Sequence, residues 1–266
     1  MIDTLLKDRE EEGVSSKAPY LSYSRINRYL LCPEQYRLYY IENLRLRVPS
    51  ASLVFGKIIH QALAFLFRSG ADPVEHFMGQ WKLLQEEELD YGSKESWEKL
   101  LTCGKALLEK FLKEELPRLA NVKASEKVFE LNITTLDLPF IGVIDLVADL
   151  DKKSTVVDFK TAASAYQRHE VVLSDQLTAY QLAEPDARQS ALCVFVKTKE
   201  PKIEWYLSRR TGNHLVEFLD KANLVSHEIS AGHFYKRPGK WCSWCDYLPV
   251  CLGDKQKTKE TLVQIR

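Results

Sequence analysis

The sequence predicts a single α/β domain, and three observations support this. Residues 21–116 show apolar residues at helical spacing and little strand character. From residue 126 onward the predicted order is three strands, a helix, two strands and a last helix. Three of the six cysteines then fall within ten residues near the C-terminal end, a clustering that favours a metal site over free core thiols. The predicted architecture is one α/β domain with a helical insertion, closed by a metal-binding segment.

Composition excludes fibrous and wholly disordered proteins but leaves the partner open. The 266 residues are 45% hydrophobic, which suits a globular chain with a sizeable core. Lys and Arg number 37, as do Asp and Glu, whereas nucleic-acid binders usually carry a basic excess. The charge is uneven, because residues 71–116 hold eleven acidic and six basic residues while 21–60 and 233–266 are basic. A polyanionic partner at the basic segments is therefore not excluded.

We expect the protein to be cytoplasmic and to make no membrane contact. No apolar run approaches the roughly 18–20 residues needed to span a bilayer. The N-terminal stretch MIDTLLKDREEEG is acidic, whereas a secretory signal begins with basic residues and continues with an apolar stretch. Thiols stay reduced in such a compartment, so the cysteines are expected to be free or metal-bound.

The N-terminal half is predicted to be helical. Four segments are expected: 21–42, 51–69, 73–91 and 94–116. Ser22 or Ser24 can cap the first, and Pro33 should break it or begin a new helix, which gives a bent helix or a helical hairpin. Pro117 ends the helical half.

The second half contains the predicted strands. They are VFELNITTL (128–136), FIGVIDLVADL (140–150), STVVDFK (154–160), ALCVFVKT (191–198) and KIEWYL (202–207). The polar DKK between the second and third is a predicted turn. SDQLTAYQLA is predicted to be a helix beginning at Ser174, and residues 209–231 form the last helix.

Two aspartates and a lysine form the first candidate site. Asp145 lies in an apolar strand, where a carboxylate is costly unless it is paired or metal-bound. Asp158 and Lys160 share one face of the next strand. Opposed residues of an antiparallel pair have a constant number sum, so a turn centred between Asp151 and Lys152 places Asp145 opposite Asp158. Their Cβ atoms would be about 5 Å apart, which favours a bridging Mg²⁺ or Mn²⁺.

Other side chains could complete this site, although each also has an ordinary structural explanation. His60 follows Gly56 by one helical turn and could be a ligand, or it could be a satisfied core histidine. Gln176 and Tyr180 share one helix face and could bind a phosphate or a base, or could be structural. By the same token, Asp158 and Lys160 could be only a surface ion pair.

Cys242, Cys245 and Cys251 supply three thiolates of a second candidate site. A tetrahedral sulfur site needs a fourth ligand, for which Cys32, Cys103 and Cys193 are available. Cys193 lies inside an apolar strand and Cys103 on a charged helix, whereas Cys32 precedes Pro33 at a helix break. We therefore select Cys32. Iron–sulfur and structural zinc both remain open for this set.

The ordered motifs resemble a known family. They are YSRINRYLLCPEQYRLYY, GKIIH, GVIDLV, VVDFKTA, QLTAYQLA and WCSWC-x5-C, and they extend from about Leu21 to Cys251. Together they resemble the RecB-like branch of the PD-(D/E)xK nucleases, and within it the iron–sulfur exonucleases of AddB type and of CRISPR adaptation. The resemblance implies a restriction-endonuclease-like α/β core with a mixed central sheet.

The resemblance also implies roles for individual residues. His60, Asp145 and Asp158 would be ligands of Mg²⁺ or Mn²⁺, joined by the Phe159 carbonyl, and Lys160 would position the attacking water. Gln176 and Tyr180 match the family's Q-x3-Y motif near the active site. The [4Fe–4S] cluster ligands would be Cys32, Cys242, Cys245 and Cys251. Two departures are minor: Ile144 replaces the proline of the family's name, and Asp158 stands where many members carry glutamate.

The resemblance also implies limits for the nuclease domain and for its parts. Residues 1–20 and 253–266 would be tails of one nuclease domain, residues 21–252. Within it, 71–120 would be the helical insertion and 233–252 the cluster-binding segment.

The implied activity is metal-dependent exonuclease cleavage of single-stranded DNA or DNA ends, in DNA repair, recombination or CRISPR adaptation. The partners that this implies are a helicase, an integrase or a recombination protein, and a homo-oligomer is an alternative assembly. Eight basic residues near the cysteines are candidates to follow the DNA backbone: Arg25, Arg28, Arg37, Arg45, Arg47, Lys236, Arg237 and Lys240. The alternative function is a non-catalytic DNA-binding or partner-binding scaffold with a structural cysteine–metal site.

Overall fold

The computed structural model describes residues 19–265, so nearly all of the predicted N-terminal tail lies outside the described residues. Its centre is a five-stranded sheet of order β2-β3-β4-β5-β6. The strands are β2 (Leu119–Leu131), β3 (Phe140–Leu150), β4 (Lys153–Ala162), β5 (Gln189–Val196) and β6 (Lys202–Ser208). Only the β4–β5 pair is parallel among these neighbours. The predicted mixed sheet is therefore confirmed.

The β3–β4 hairpin has the predicted register. Asp151 and Lys152 form the turn, and both have positive φ values, of 48° and 67°. Two consecutive residues in this left-handed region are typical of the tight turns whose twist matches that of the strands. The ladder then runs from Leu150 opposite Lys153 to Leu146 opposite Val157. The turn chemistry therefore sets which residues of β3 and β4 come together at the far end of the hairpin.

Three helices cover one face of the sheet: α3 (Ala51–Ser69), α4 (Pro73–Lys82) and α5 (Trp97–Lys110). The limits of α3 match the prediction, whereas α4 ends nine residues before the predicted limit. The intervening residues hold three consecutive glutamates and Gly92, and Ser96 caps α5 by accepting from the Lys99 N–H. A π-helical turn, Phe111–Glu115, and a short 3₁₀ turn, Leu116–Arg118, connect α5 to β2.

Helix α3 bears on the expectation that the protein makes no membrane contact. Among the described residues, α3 is a helix long and apolar enough to cross a bilayer, judged by its length and composition alone. Phe55, Ile59 and Leu63 are nevertheless fully buried against the sheet and the neighbouring helices. The core helix of a soluble protein passes the same test of length and composition, so α3 is only weak evidence for a membrane span.

The opposite face of the sheet carries α1 (Tyr23–Leu31), α7 (Asp175–Ala183) and α8 (Gly212–Ser230). Ser22 caps α1 through the Arg25 N–H, and the chain turns at the extended residue Cys32. Pro33 then begins α2 (Pro33–Tyr36), which continues as a π-helical turn, Arg37–Ile41. The predicted break is confirmed. The five-residue helix α6 (Arg168–Val172), with a capping box between Gln167 and Glu170, was not predicted.

The C-terminal segment returns to the N-terminal helices. It consists of a 3₁₀ turn (Lys240–Trp244), α9 (Leu248–Leu252), α10 (Lys255–Thr261) and β7 (Leu262–Gln264). Strand β7 pairs antiparallel with β1 (Leu44–Leu46) in a separate two-stranded sheet. Regular structure therefore extends through most of the residues that were predicted to be a C-terminal tail.

Candidate active site

Strands β3 and β4 bring Asp145 and Asp158 together at the end of their hairpin. The regular ladder stops at Leu146 and Val157, one pair before the two aspartates. The Asp145 carboxylate then accepts a hydrogen bond from the main-chain N–H of Phe159, with Oδ2 2.7 Å from the nitrogen. The two aspartates are only 2% and 1% exposed. Two almost fully buried carboxylates on adjacent strands require nearby positive charge.

Lys160 supplies positive charge within the described structure. Its Nζ lies 2.9 Å from Oδ2 of Asp158 and donates to Oε1 of Gln176 at 2.8 Å. Burial lowers the pKa of Lys160, but the Asp158 and Asp145 carboxylates raise it more, so that the pKa lies above its ordinary value. Lys160 is therefore a fixed cation at neutral pH rather than a proton acceptor.

Gln176 and Tyr180 connect this lysine to the sheet. Ser174 caps α7 through the Leu177 N–H, and the helix places both side chains on one face. Gln176 Nε2 donates to the Tyr180 hydroxyl at 2.9 Å, and that hydroxyl lies 2.7 Å from the Val143 carbonyl oxygen. A hydroxyl has one proton, so it donates to the nearer Val143 oxygen, and Asp158 Oδ1 at 3.3 Å is a secondary contact. The Gln176 amide is thereby oriented with its oxygen toward Lys160.

His60 reaches the site from the other face of the sheet. Its Nδ1 lies 3.3 Å from Oδ2 of Asp145. Gly56, one turn earlier on α3, faces Thr161 on β4, and a Cβ at Gly56 would lie 2.9 Å from the Thr161 hydroxyl oxygen. The absence of a side chain at Gly56 therefore allows α3 to approach the Thr161 side chain closely. This approach lets α3 lie near enough to β4 for His60 to contact Asp145.

The donor set suits a hard divalent cation, although it is not preassembled. Asp145, Asp158 and the Phe159 carbonyl offer oxygen ligands, and His60 offers a ring nitrogen. Among residues 19–265, no three His, Cys, Asp or Glu side chains are grouped so as to hold a metal ion as they stand. The Lys160 ammonium instead contacts the Asp158 carboxylate.

Two tyrosines near Lys160 were missed by sequence reasoning. Tyr23, the first residue of α1, contributes to the raised pKa of Lys160. Burial raises the pKa of Tyr166, Lys160 lowers it and Asp158 raises it, which places this phenol in the field of the same groups. Tyr166 lies in the loop after β4, where no periodicity signals a site. Only the position of Tyr23 directly after the capping Ser22 could have drawn attention to it.

The structure gathers the cysteine-bearing segments but does not preassemble a cluster site. Gln35 Nε2 lies 3.4 Å from Cys245 Sγ, and Glu34 donates its N–H to the Tyr235 carbonyl at 3.0 Å. Burial raises the pKa of Cys251, Lys236 lowers it, and Cys245, Glu34 and Cys32 raise it, which indicates that these groups are neighbours. No three of these thiols form a metal-holding group among residues 19–265. Cys193 is fully buried in the core, and Cys103 packs against the same core.

The basic residues near the cysteines largely contact the chain itself. Arg45 is only 4% exposed and donates to the Leu44 and Tyr39 carbonyls. Arg25 lies over the Tyr40 ring and Arg28 over the Tyr39 ring, at 4.2 and 3.7 Å. Others bind carboxylates or carbonyls: Arg37 to Glu34 and Glu42, Arg47 to Lys259, Lys236 to Cys251 and Arg237 to Leu30. The prediction that these residues follow a DNA backbone is therefore wrong for Arg45, which is buried, and it stays a prediction for the other seven.

The chain is similar to known proteins in sequence and in fold. The model of the PD-(D/E)XK nuclease superfamily matches residues 20–252. A crystal structure from Eubacterium rectale, provisionally named an exonuclease, superposes with a TM-score of 0.56 at 13% identity, covering 86% of this chain and 87% of that one. The crystal structure of SSO0001 gives a TM-score of 0.44 at 16% identity, covering 95% and 96% of the two chains, a similarity too low to support a common fold. A search of curated protein sequences gave no match.

Proposed function

Because the chain belongs to the PD-(D/E)XK nuclease superfamily, we propose that it is a metal-dependent deoxyribonuclease that degrades single-stranded DNA or DNA ends. The observation that carries the proposal is the arrangement of Asp145, Asp158 and Lys160. Two almost fully buried carboxylates share one end of a hairpin with a lysine whose pKa is raised. A core that needed only apolar packing would not bury this set, since each carboxylate loses hydration there.

Asp145, Asp158 and the Phe159 carbonyl would hold a divalent cation, with His60 as a further ligand. When bound, such an ion polarises a phosphodiester and lowers the pKa of a coordinated water. Mg²⁺ and Mn²⁺ both suit the oxygen ligands, and the imidazole of His60 favours Mn²⁺.

The chain's own groups do the positioning. Lys160 stays protonated and can place positive charge beside the phosphate oxygens, where negative charge develops during hydrolysis. Gln176 fixes the lysine through its amide oxygen, and Tyr180 fixes the amide. In this mechanism Lys160 also orients the attacking water by hydrogen bonding, without removing its proton.

The first test replaces the two residues at the centre of the site, Asp158 and Lys160. Asp158→Ala and Lys160→Ala should each abolish cleavage of end-labelled single-stranded DNA in Mn²⁺, because each loses a ligand or a fixed cation. The controls are Asp137→Ala and Lys105→Ala, whose side chains are 49% exposed in both cases. Wild-type cleavage by either site variant would contradict the assignment, and tight DNA binding by a protein that never cleaves would favour the scaffold alternative.

The exonuclease part of the proposal rests on the family resemblance and on the provisional name of the Eubacterium rectale neighbour. Substrates blocked at the 5′ end, at the 3′ end or at both test it. Cleavage should stop with at least one singly blocked substrate, which would also give the polarity of digestion. Equal cleavage of the doubly blocked and free strands would indicate an endonuclease instead. A matched RNA strand tests the restriction to DNA.

We also propose that Cys32, Cys242, Cys245 and Cys251 bind a [4Fe–4S] cluster. The proposal is supported by the four thiols at sequence spacings of the family and by the contacts that join the Cys32 region to the C-terminal segment. Anaerobically purified protein should be brown and should contain iron and sulfide, and Cys242→Ser should reduce both. A colourless protein with one equivalent of zinc would establish the zinc alternative.

The setting proposed for this activity is DNA repair, recombination or CRISPR adaptation inside the cell, beside a helicase, an integrase or a recombination protein. The chain has no Walker A phosphate-binding loop, so unwinding of a duplex would come from such a partner. Affinity purification of the tagged full chain under reducing conditions would identify it.

A further inference from the structure

Large apolar side chains are exposed around the cysteine-bearing segments. Trp244 is 78% exposed, Leu252 73%, Tyr235 56% and Leu31 43%. Each lies in the C-terminal segment or, in the case of Leu31, directly beside Cys32. Exposure of this much apolar surface in one region is typical of a binding site.

These residues are held on one body. The Tyr235 carbonyl accepts from the Glu34 N–H at 3.0 Å, which attaches the segment before the 3₁₀ turn to α2. Lys236 Nζ donates to the Cys251 carbonyl at 2.9 Å, which attaches the same segment to α9. Helix α10 in turn begins three residues after Leu252. These contacts join the backbone of the segment around Tyr235 to α2 and α9.

Exposed basic side chains lie in the same C-terminal segment as most of these apolar side chains. Residues 233–261 carry six basic and three acidic residues. The basic residues are all exposed: Lys236, Arg237, Lys240, Lys255, Lys257 and Lys259. The aromatic–basic surface is defined here as these six residues together with Leu31, Tyr235, Trp244 and Leu252. Lysine is depleted from the centres of protein–protein interfaces, so this composition favours a polyanion over a protein partner.

We propose that the aromatic–basic surface binds single-stranded DNA, with unpaired bases stacked on Trp244 and Tyr235 and lysines following the phosphates. Aromatic faces stack on any base, and neighbouring cations hold the backbone without reading sequence. The inference rests on the proposed nuclease function for its substrate, since it assigns that substrate a second contact outside the catalytic residues. Duplex ends offer fewer unpaired bases and should bind this surface less well.

The surface lies within reach of the candidate active site. Helix α1 begins at Tyr23, packs against α7, which carries Gln176, and ends at Leu31 beside Cys32. The eight residues between these ends extend about 12 Å at 1.5 Å per residue. At about 3.4 Å per stacked nucleotide, this distance corresponds to three or four nucleotides. A strand on the surface could therefore present its end to Lys160, whereas a dinucleotide could not occupy both places.

Intrinsic fluorescence offers a test that does not depend on cleavage. Anaerobically purified full-length protein is titrated in EDTA with a 20-nucleotide strand, with a dinucleotide and with a blunt duplex. The 20-nucleotide strand should quench tryptophan fluorescence, and Trp244→Phe should remove most of that quenching. Trp244→Ala should weaken binding of the strand roughly five- to 100-fold. Leu224→Ala on α8, where the side chain is 61% exposed outside the surface, is the matched control and should bind like wild type.

A second measurement protects against misfolding of Trp244→Ala. Trp244→Phe keeps an aromatic face and should retain most of the affinity. Lys257→Ala should lower the slope of log affinity against log salt by about one. Unchanged affinity of Trp244→Ala, or the same quenching with wild type and Trp244→Phe, would overturn the inference. The binding results do not test catalysis. A wild-type protein that binds the strand with full quenching but never cleaves DNA would overturn only the nuclease proposal.

Discussion

Replacing Lys160 with methionine should destabilise the fold by about 2 kcal/mol at neutral pH. The Asp158 side chain is 1% exposed, while the lysine that contacts it is 30% exposed. Removing one partner of a fully buried pair costs about 3–5 kcal/mol, and an exposed pair is worth about 1 kcal/mol or less. The partly exposed ammonium lies between these limits, since water screens its charge.

The pH dependence of this effect has a definite sign. The pKa of Lys160 in the folded protein lies above its ordinary value. The ammonium therefore stabilises the fold at every pH below the pKa of an unfolded lysine, about 10.4, and this stabilisation is lost only as the pH rises through the folded value. The difference between wild type and Lys160→Met should thus stay constant from pH 7 to pH 9.

Urea unfolding at pH 7 and pH 9 is the assay, with thermal unfolding beside it, where about 2 kcal/mol corresponds to a shift of about 4–8 °C. Lys160→Arg keeps the charge and is the control. The double variant Asp158→Asn/Lys160→Met removes both charges and should regain most of the lost stability. A Lys160→Met protein as stable as wild type, or a double variant no more stable than Lys160→Met, would refute the reasoning.

Three further predictions concern packing, hydrogen bonding and helix propensity. Tyr180→Phe should destabilise the fold by about 1–3 kcal/mol because the buried Val143 carbonyl loses its donor; urea unfolding measures this, and an unchanged midpoint would contradict it. Gly104→Ala should cost about 1–3 kcal/mol, since a Cβ there would lie 2.1 Å from the Phe77 ring. Gly79→Ala, on an exposed helix position with no atom within 4 Å, should instead raise the thermal midpoint, because alanine favours a helix by about 1 kcal/mol. Equal shifts for the two glycine variants would contradict the packing argument.

The candidate site was the most predictable part because local rules determine it. The polar turn fixed the register of β3 and β4, and side-chain alternation then placed Asp158 and Lys160 on one face. Helical spacing likewise placed Gln176 beside Tyr180. Each of these inferences needed only residues close together in the sequence.

Features that depend on distant partners were not predictable. Arg45 reads as a surface charge, but it is buried in β1, where it pairs with Val263, 218 residues later in the sequence. Strands β1 and β7 have three residues each, too few to show alternation, and each is defined only by the other. Tyr166 reaches Lys160 through a loop, and loops carry no period from which a direction could be inferred.

The pairing of β1 with β7 also sets an order of events during synthesis. Leu44 pairs with Gln264, which is translated 220 residues later. At about 5–20 residues per second, the ribosome needs about 10–45 s to cover that distance. Throughout this interval β1 has already been synthesised but has no partner strand, while the whole central sheet is being translated. The N-terminal helices therefore gain their last packing partners only after the sheet has been synthesised. A ribosome pause within residues 209–264 would prolong the time for which these helices are exposed.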